Sequence, residues 1–118
     1  MRLKKINIKK ETKITFSSKE LLFLSHSGQP YRGSLYVQFQ SLGESFDLLD
    51  FKKYITSLRA QTFYAEDIAH EIFTTIQKSI DSKNLGVIVE LTARGGIQQQ
   101  LSFGFEFDIL SRKNIFQV

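Results

Sequence analysis

The stretch DLLDFKKYITSLRAQTFYAEDIAHEIFTTIQKSI, residues 47–80, decides the fold, because the hydrophobic period on either side of it is two and within it is not. Leu48, Phe51, Ile55 and Leu58 recur at helical spacing, with Asp47 and Asp50 near the start, which predicts a first helix. After a short connection Ile68, Ile72, Phe73, Ile76 and Ile80 line one face of a second helix. Glu66 and Asp67 stand at its start, where the helix dipole favours negative charge, and Asn84 falls in the exit turn.

Outward from this pair the period returns to that of strands. Toward the N-terminus, Ile6, Ile8, Thr12, Ile14 and Phe16 alternate with polar residues, mostly lysine, and predict a first strand with a break near Lys10-Glu11. Leu21 to Leu24 either continues it or starts another. Ser27-Gly28-Gln29-Pro30 is a turn signal, and Leu35, Val37 and Phe39 make a second strand. Toward the C-terminus, Leu85, Val87, Val89 and Leu91 form a third strand and Arg94-Gly95-Gly96 a turn. Leu101, Phe103, Phe105, Phe107 and Ile109 form a fourth. The order ββααββ predicts an α+β class: one antiparallel four-stranded sheet with two helices on one face. The opposite face, with Ser, Gly, Gln and Thr beside Ile88, suits a subunit contact or a wet lumen. Exposed strand edges invite closure by association, so a homo-oligomeric ring is expected.

At 118 residues, with one proline and no Gly/Ser-rich linker, the chain reads as a single domain spanning 1–118. No apolar run approaches the roughly 18 residues that span a bilayer. The start, Met1 to Lys10, has no uninterrupted apolar stretch of the secretory kind, so a cytoplasmic protein without membrane contact is expected. The sequence has no cysteine, which excludes disulfides, thiolate catalysis, thiolate–zinc sites and iron–sulfur clusters within it. His26 and His70 are its two histidines, too few for a three-histidine metal site, and no metal is expected. The net charge of +4 is uneven: seven basic side chains against Glu11 and Glu20 fall in residues 1–20. Such a start either touches nucleic acid or keeps an edge strand soluble; the second reading is favoured, since no aromatic or arginine cluster accompanies the lysines.

Four segments in register over roughly residues 22–97 resemble the QueF family, the NADPH-dependent 7-cyano-7-deazaguanine reductases of queuosine biosynthesis. Leu24-Ser25-His26-Ser27-Gly28-Gln29-Pro30-Tyr31 is similar to the family's Cys-Pro-x-Thr-Gly-Gln-Pro-Asp. Phe51-Lys52-Lys53-Tyr54-Ile55-Thr56-Ser57-Leu58-Arg59 is similar to its Leu-Lys-Leu-Tyr-Leu-x-Ser-Phe-Arg helix. Tyr64-Ala65-Glu66-Asp67 stands for Phe-His-Glu-Asp, and Thr92-Ala93-Arg94-Gly95-Gly96-Ile97 resembles its Pro-Arg-Gly-Gly-Ile turn. The resemblance implies a tunnelling fold (T-fold), whose ββααββ subunits form rings and bind purine- or pterin-like rings at their interfaces.

The departures bear on chemistry. The nucleophilic cysteine falls on Leu24, the aspartate seven residues on falls on Tyr31, and the histidine beside the glutamate falls on Ala65. The Glu-Ser-Lys-Ser stretch associated with NADPH reads Asp47-Leu48-Leu49-Asp50, so no cofactor is expected. Leucine has no lone pair with which to form a thioimide, and neighbouring strand residues point to opposite faces, which argues against a Ser25–His26 pair. Glu66 matches the carboxylate that holds a ring's amino and N–H edge, a task suited to an acceptor of two parallel hydrogen bonds. Gln29 and Ser27 are the further candidates for lining such a pocket. Arg94 meets an anion or merely ends its strand and solvates the turn; Tyr54 reads as core or interface, and Lys52 as a solvated helix residue. His70, one turn beyond Glu66, is expected to contact it. The leading expectation is a pseudoenzyme: a QueF-like protein that binds a purine, 7-deazaguanine or pterin ring through Glu66 without nitrile reduction. The alternatives are a structural subunit that completes a ring with a paralogue, and a cysteine-independent T-fold enzyme.

Overall fold

The computed structural model describes residues 1–109. Its strands are β1 (Lys5–Asn7), β2 (Lys13–Leu24), β3 (Pro30–Ser41), β4 (Glu44–Phe46), β5 (Ser82–Arg94) and β6 (Ile97–Gly104). Helices α1 (Leu48–Ser57) and α2 (Ala65–Ser79) lie between β4 and β5, and a short 3-10 turn, Leu58–Ala60, follows α1. The main sheet is antiparallel throughout in the order β2-β3-β5-β6, with both helices on one face. This is the α+β, ββααββ arrangement that the pattern predicts, and the tunnelling fold that the family resemblance implies. The single-domain reading extends over residues 110–118, which lie outside the described residues. Among the described residues no helix is long and apolar enough to cross a membrane.

Each helix forms for reasons visible in its sequence. Asp47, extended at φ −64 and ψ 128, accepts the Asp50 amide on its carboxylate and caps α1. Glu66 and Asp67 occupy the first turn of α2, and the chain leaves that helix at Ile80 in extended conformation. Ile68, Ile72 and Ile76 on α2 are wholly buried against Phe23, Leu35, Val37, Phe39, Val87 and Val89 of the sheet. Burying each isoleucine contributes about 1.5–3 kcal/mol, so this stripe holds α2 to the sheet. Tyr54 on α1 is buried too, and burial pushes its phenol up to about 12.

Four sequence readings need correction. Residues 5–7 do not belong to the first long strand: they pair with β4 in a separate two-stranded sheet, and Ile6 is 41% exposed. Glu11, at φ 69, turns the chain between the two pieces. Leu21–Leu24 does continue β2, but past a bulge between Ser18 and Leu21 that shifts the alternation. The last strand ends at Gly104 and does not reach Ile109: at φ 88 that glycine turns the chain, and a Cβ there would meet the Leu85 carbonyl and the Phe73 ring. The chain then crosses the other face of the sheet at Gly86, against Phe105 and Phe107. Ile88 and Tyr36 on that face are buried, so it is not the wholly open surface that its small and polar residues suggest. Asn84, at φ 57, sits in a bulge inside β5 opposite Phe39 and not in the exit turn.

Candidate ligand-binding site

Three connections meet at one end of the sheet. The β2–β3 turn is closed by Ser25 N–H to Gln29 O and Gly28 N–H to Ser25 O, both 2.9 Å. The β5–β6 turn places Gly95 and Gly96 at φ 59 and 81, the two consecutive positive values a tight hairpin requires. The third is the strand-like passage from the 3-10 turn to α2. Leu24 N–H donates to Gln61 O and Phe63 N–H to Leu24 O, both 2.9 Å, so Thr62 forms a parallel bridge beside Leu24. That bridge fixes where α2 begins and so where Glu66 stands.

Glu66 is exposed in the first turn of α2, and its Oε2 accepts a hydrogen bond from Gln99 Nε2 on β6 at 3.1 Å. Gln99 lines a cleft of about 270 Å³ together with Tyr31, Thr92, Arg94 and Ile97. On the far side Arg94 Nη2 donates to Gln29 Oε1 at 2.6 Å, and its guanidinium carbon lies 4.6 Å from the Tyr31 ring centroid. Tyr31 is stacked in turn on the buried Phe23, centroids 5.1 Å apart and planes at 27°. Two of the candidate residues thus reach the cleft through partners: Glu66 through Gln99, and Gln29 through Arg94.

Ser27 does not join them. Its hydroxyl lies 2.8 Å from Ser25 Oγ within the turn. His26 stacks on Tyr64 at 3.9 Å and 24°, so Ser25 and His26 are each engaged with another residue. Arg94 ends β5 as expected, but it also ties the two hairpins together. His70 does not bond Glu66: its Nε2 lies 3.3 Å from Thr74 Oγ1 and its ring meets Phe103 edge-on at 4.6 Å. Thr74 and Phe103 are partners on the side of His70 away from the helix N-terminus. Among the described residues no cluster of three or more His, Cys, Asp or Glu is placed to hold a metal ion.

Sequence reasoning missed Gln99, the residue that positions the carboxylate. It sits in the run Gln98-Gln99-Gln100, which looks like a polar edge, and α2's contact with β6 is a tertiary fact. The signal was there in parity: Gln99 shares the alternate positions of Leu101, which packs against the core. At the other end of α1, Asp50 Oδ2 accepts the Lys4 amide at 2.7 Å, while Leu48 and Leu49 are 62% and 61% exposed. Lys52 is exposed beside a groove of about 230 Å³ between β2 and α1, lined also by Phe16, Phe51 and Arg59.

Comparison with known proteins places this arrangement. The profile of the family described as QueF-like protein matches residues 30–105, more than half of the chain. The NADPH-dependent 7-cyano-7-deazaguanine reductase of Rickettsia canadensis (strain McKiel) is 35% identical over 71 residues, covering 60% of this chain and 25% of that protein. The reductase of the same name from Rickettsia felis (strain ATCC VR-1525 / URRWXCal2) is 34% identical over the same length and the same shares. The match therefore spans about a quarter of the length of these relatives. Among solved structures, the archaeosine synthase QueF-Like in its apo form superposes with a TM-score of 0.75 at 14% identity, covering 85% of this chain and 99% of that one. At that identity the likeness speaks for the fold alone. With the profile matched across β3 to β6 and the fold in agreement, the chain belongs to the QueF-like protein family.

Proposed function

We propose that this protein binds a 7-deazaguanine, purine or pterin ring at the Glu66 end of its sheet and does not reduce a nitrile. The observation that carries the reading is the Gln99–Glu66 hydrogen bond at 3.1 Å beside the cleft. One amide donor holds Oε2, so the carboxylate is oriented before a ligand arrives and keeps acceptor capacity for a ring's N–H edge. Against covalent chemistry stands position 24, a half-buried leucine where the family pattern has its cysteine, in a sequence without any cysteine.

NADPH does not fit the first turn of α1. Asp47 and Asp50 there bring negative charge and are committed to the Asp50 and Lys4 amides, and the side chains of Leu48 and Leu49 carry no donor for a phosphate. The exposed leucines instead favour a second reading, a subunit that completes a hetero-oligomeric ring with a catalytic paralogue. Ile97, 69% exposed at the start of edge strand β6, points the same way.

Thermal unfolding with guanine, 7-cyano-7-deazaguanine, urate, neopterin and NADPH separates the two. A ligand at about 100 times its Kd adds roughly 2.7 kcal/mol to the folded state. The expected result is a rise of several degrees with one ring compound, absent in Glu66→Ala and absent with NADPH. A rise of equal size in Glu66→Ala removes the carboxylate from the site. No rise with any compound leaves the ring-completing subunit as the better reading.

A further inference from the structure

The alternation Leu101, Phe103, Phe105, Phe107, Ile109 runs on past the point where β6 stops. The partner strand runs on as well. β5 begins at Ser82, whereas its last pair with β6 is Gly86 with Gly104. Phe105 still gives its amide to the Leu85 carbonyl at 2.8 Å, one more bond of the ladder kind, before the chain leaves. Ser82 and Lys83 pair with β3, and among the described residues no strand pairs with them on the β6 side. Two glycines that face each other across the strands take the segment off the ladder. Gly104 makes the turn at φ 88, a conformation that suits glycine. Gly86 makes room: its own φ is not left-handed, but a Cβ there would fall on the Phe105 carbonyl and the Phe107 ring. Residues 105–109 therefore lie across the sheet face away from the helices, where Tyr36 and Ile88, partners in register, are buried. The seat is loose. A cleft of about 420 Å³ remains between this segment and Ile88, Gln100 and Ser102, and Phe105 is 52% exposed.

We infer that Phe105–Ile109 is a strap with two seats and that its position governs association between copies of this chain. In one seat it crosses the sheet, as observed. In the other it continues β6 along Ser82–Leu85, with Phe105 on the side that Phe103 already takes against His70 and Phe73 of α2. The second seat changes the edge of the sheet. As observed, β6 has eight residues, against the twelve of β2 at the opposite edge. Continued to Ile109, β6 reaches the length of β2, and β2 is the edge that a second copy brings. A packed segment with two discrete arrangements is the kind of element that switches. The strap leaves β6 at the end away from the Arg94–Ile97 turn, so it stands apart from the Glu66 reading and survives that reading's failure.

Gly86→Ala in the full chain tests it, by amide hydrogen exchange and by light scattering over a concentration series. Alanine is at home in a strand at position 86 and collides only with the strap, so the variant should displace the strap and keep the sheet. The expected result is exchange about tenfold slower at Ser82–Leu85 and a self-association Kd about tenfold lower than in the wild type. Faster exchange at Phe105–Ile109 with no slowing at Ser82–Leu85 overturns the second seat, since the displaced strap then pairs with nothing. Slower exchange at Ser82–Leu85 with unchanged association overturns the link to the edge. Stronger association without that slowing overturns it too, because the copies then meet elsewhere. Unchanged exchange in both segments overturns the strap itself. If Gly86→Ala does not fold, Gly104→Ala carries the same expectations, because alanine is strained at φ 88 and not in an extended strand. The wild type supplies a further check: exchange at Ser82–Leu85 should slow as concentration rises through the range of association, and a flat profile there sinks the proposal.

Discussion

Tyr54→Phe should stabilise this protein, against the usual sign of a core substitution. Tyr54 is 3% exposed, and its ring packs near Phe51 at 6.4 Å, a contact that phenylalanine keeps. Its hydroxyl is buried without a hydrogen-bond partner, with Thr75 alongside but not completing a bond. Burying an unmatched hydroxyl costs about 1–3 kcal/mol, so removing it should return about 1 kcal/mol after the change in packing is counted. At about 2.1 cal/mol/K of unfolding entropy per residue, 118 residues give a rise of about 4 °C in Tm. The alkaline limb offers a second reading of the same group. The phenol titrates near 10 when unfolded and at about 12 in the fold, so the unfolded state loses its proton first. The wild type therefore loses stability from pH 10 to 12, by about 2–3 kcal/mol at most, and Tyr54→Phe does not. The assay is urea denaturation across that range, with the other tyrosines cancelling in the difference between the two proteins. A fall in Tm of 4 °C or more at neutral pH would refute the argument and show that Tyr54 and Thr75 share a bond in solution.

Gly33→Ala should cost about 3 kcal/mol or more in chemical denaturation, since its Cβ would fall on the Glu90 carbonyl of the neighbouring strand, which cannot withdraw. Gly28→Ala, at φ 87 in open space, should cost only about 1 kcal/mol; equal losses would mean that the strand approach at Gly33 relaxes. Glu44, whose carboxyl is held below its ordinary value first by the Asp81 amide and then by Lys5, contributes stability above pH 4.5 that is lost as pH falls, so Glu44→Gln should flatten the acid limb of the stability curve. An unchanged acid limb would remove Glu44 from that role. Gln99→Leu should weaken ring binding by calorimetry about three- to tenfold, the worth of one orienting hydrogen bond, with Tm nearly constant. Unaltered affinity would mean that Glu66 needs no positioning.

The helices and the two central strands were legible because their apolar residues keep one period over many residues. Ile68, Ile72 and Ile76 on α2, and Val87 and Val89 on β5, report the core without help from context. The edges were not. Lys5–Asn7 carries the same alternation as β2, yet it pairs with β4, because the positive φ of Glu11 breaks the run and single-sequence alternation does not name a partner. Phe105 and Phe107 keep period two beyond Gly104, and what stops the strand is the Phe73 ring and the Leu85 carbonyl, which arrive from elsewhere in the fold. The site divides in the same way. Glu66 was legible in sequence as a helix-start residue and, as a ring anchor, only through the family resemblance, whereas Gln99 and the Tyr31–Arg94 stack exist only because β6 packs beside α2 and the two hairpin tips meet.

The bonds that fix the Glu66 end of the sheet do not pass through the side chain at position 24. Leu24 is held to Gln61 and Phe63 by backbone hydrogen bonds, and a backbone ladder does not depend on which side chain stands at position 24. A cysteine there would be a nucleophile; a leucine leaves the ladder, the start of α2 and the position of Glu66 as they are. Thiolate chemistry would need a sulfur atom of cysteine, and the sequence has none. Ring recognition, as proposed, resides in a carboxylate set by a helix start and a Gln99 amide. None of these groups requires the sulfur. The proposed ring recognition is therefore compatible with a side chain at position 24 that is not a nucleophile, because the bonds of that position are made by its backbone.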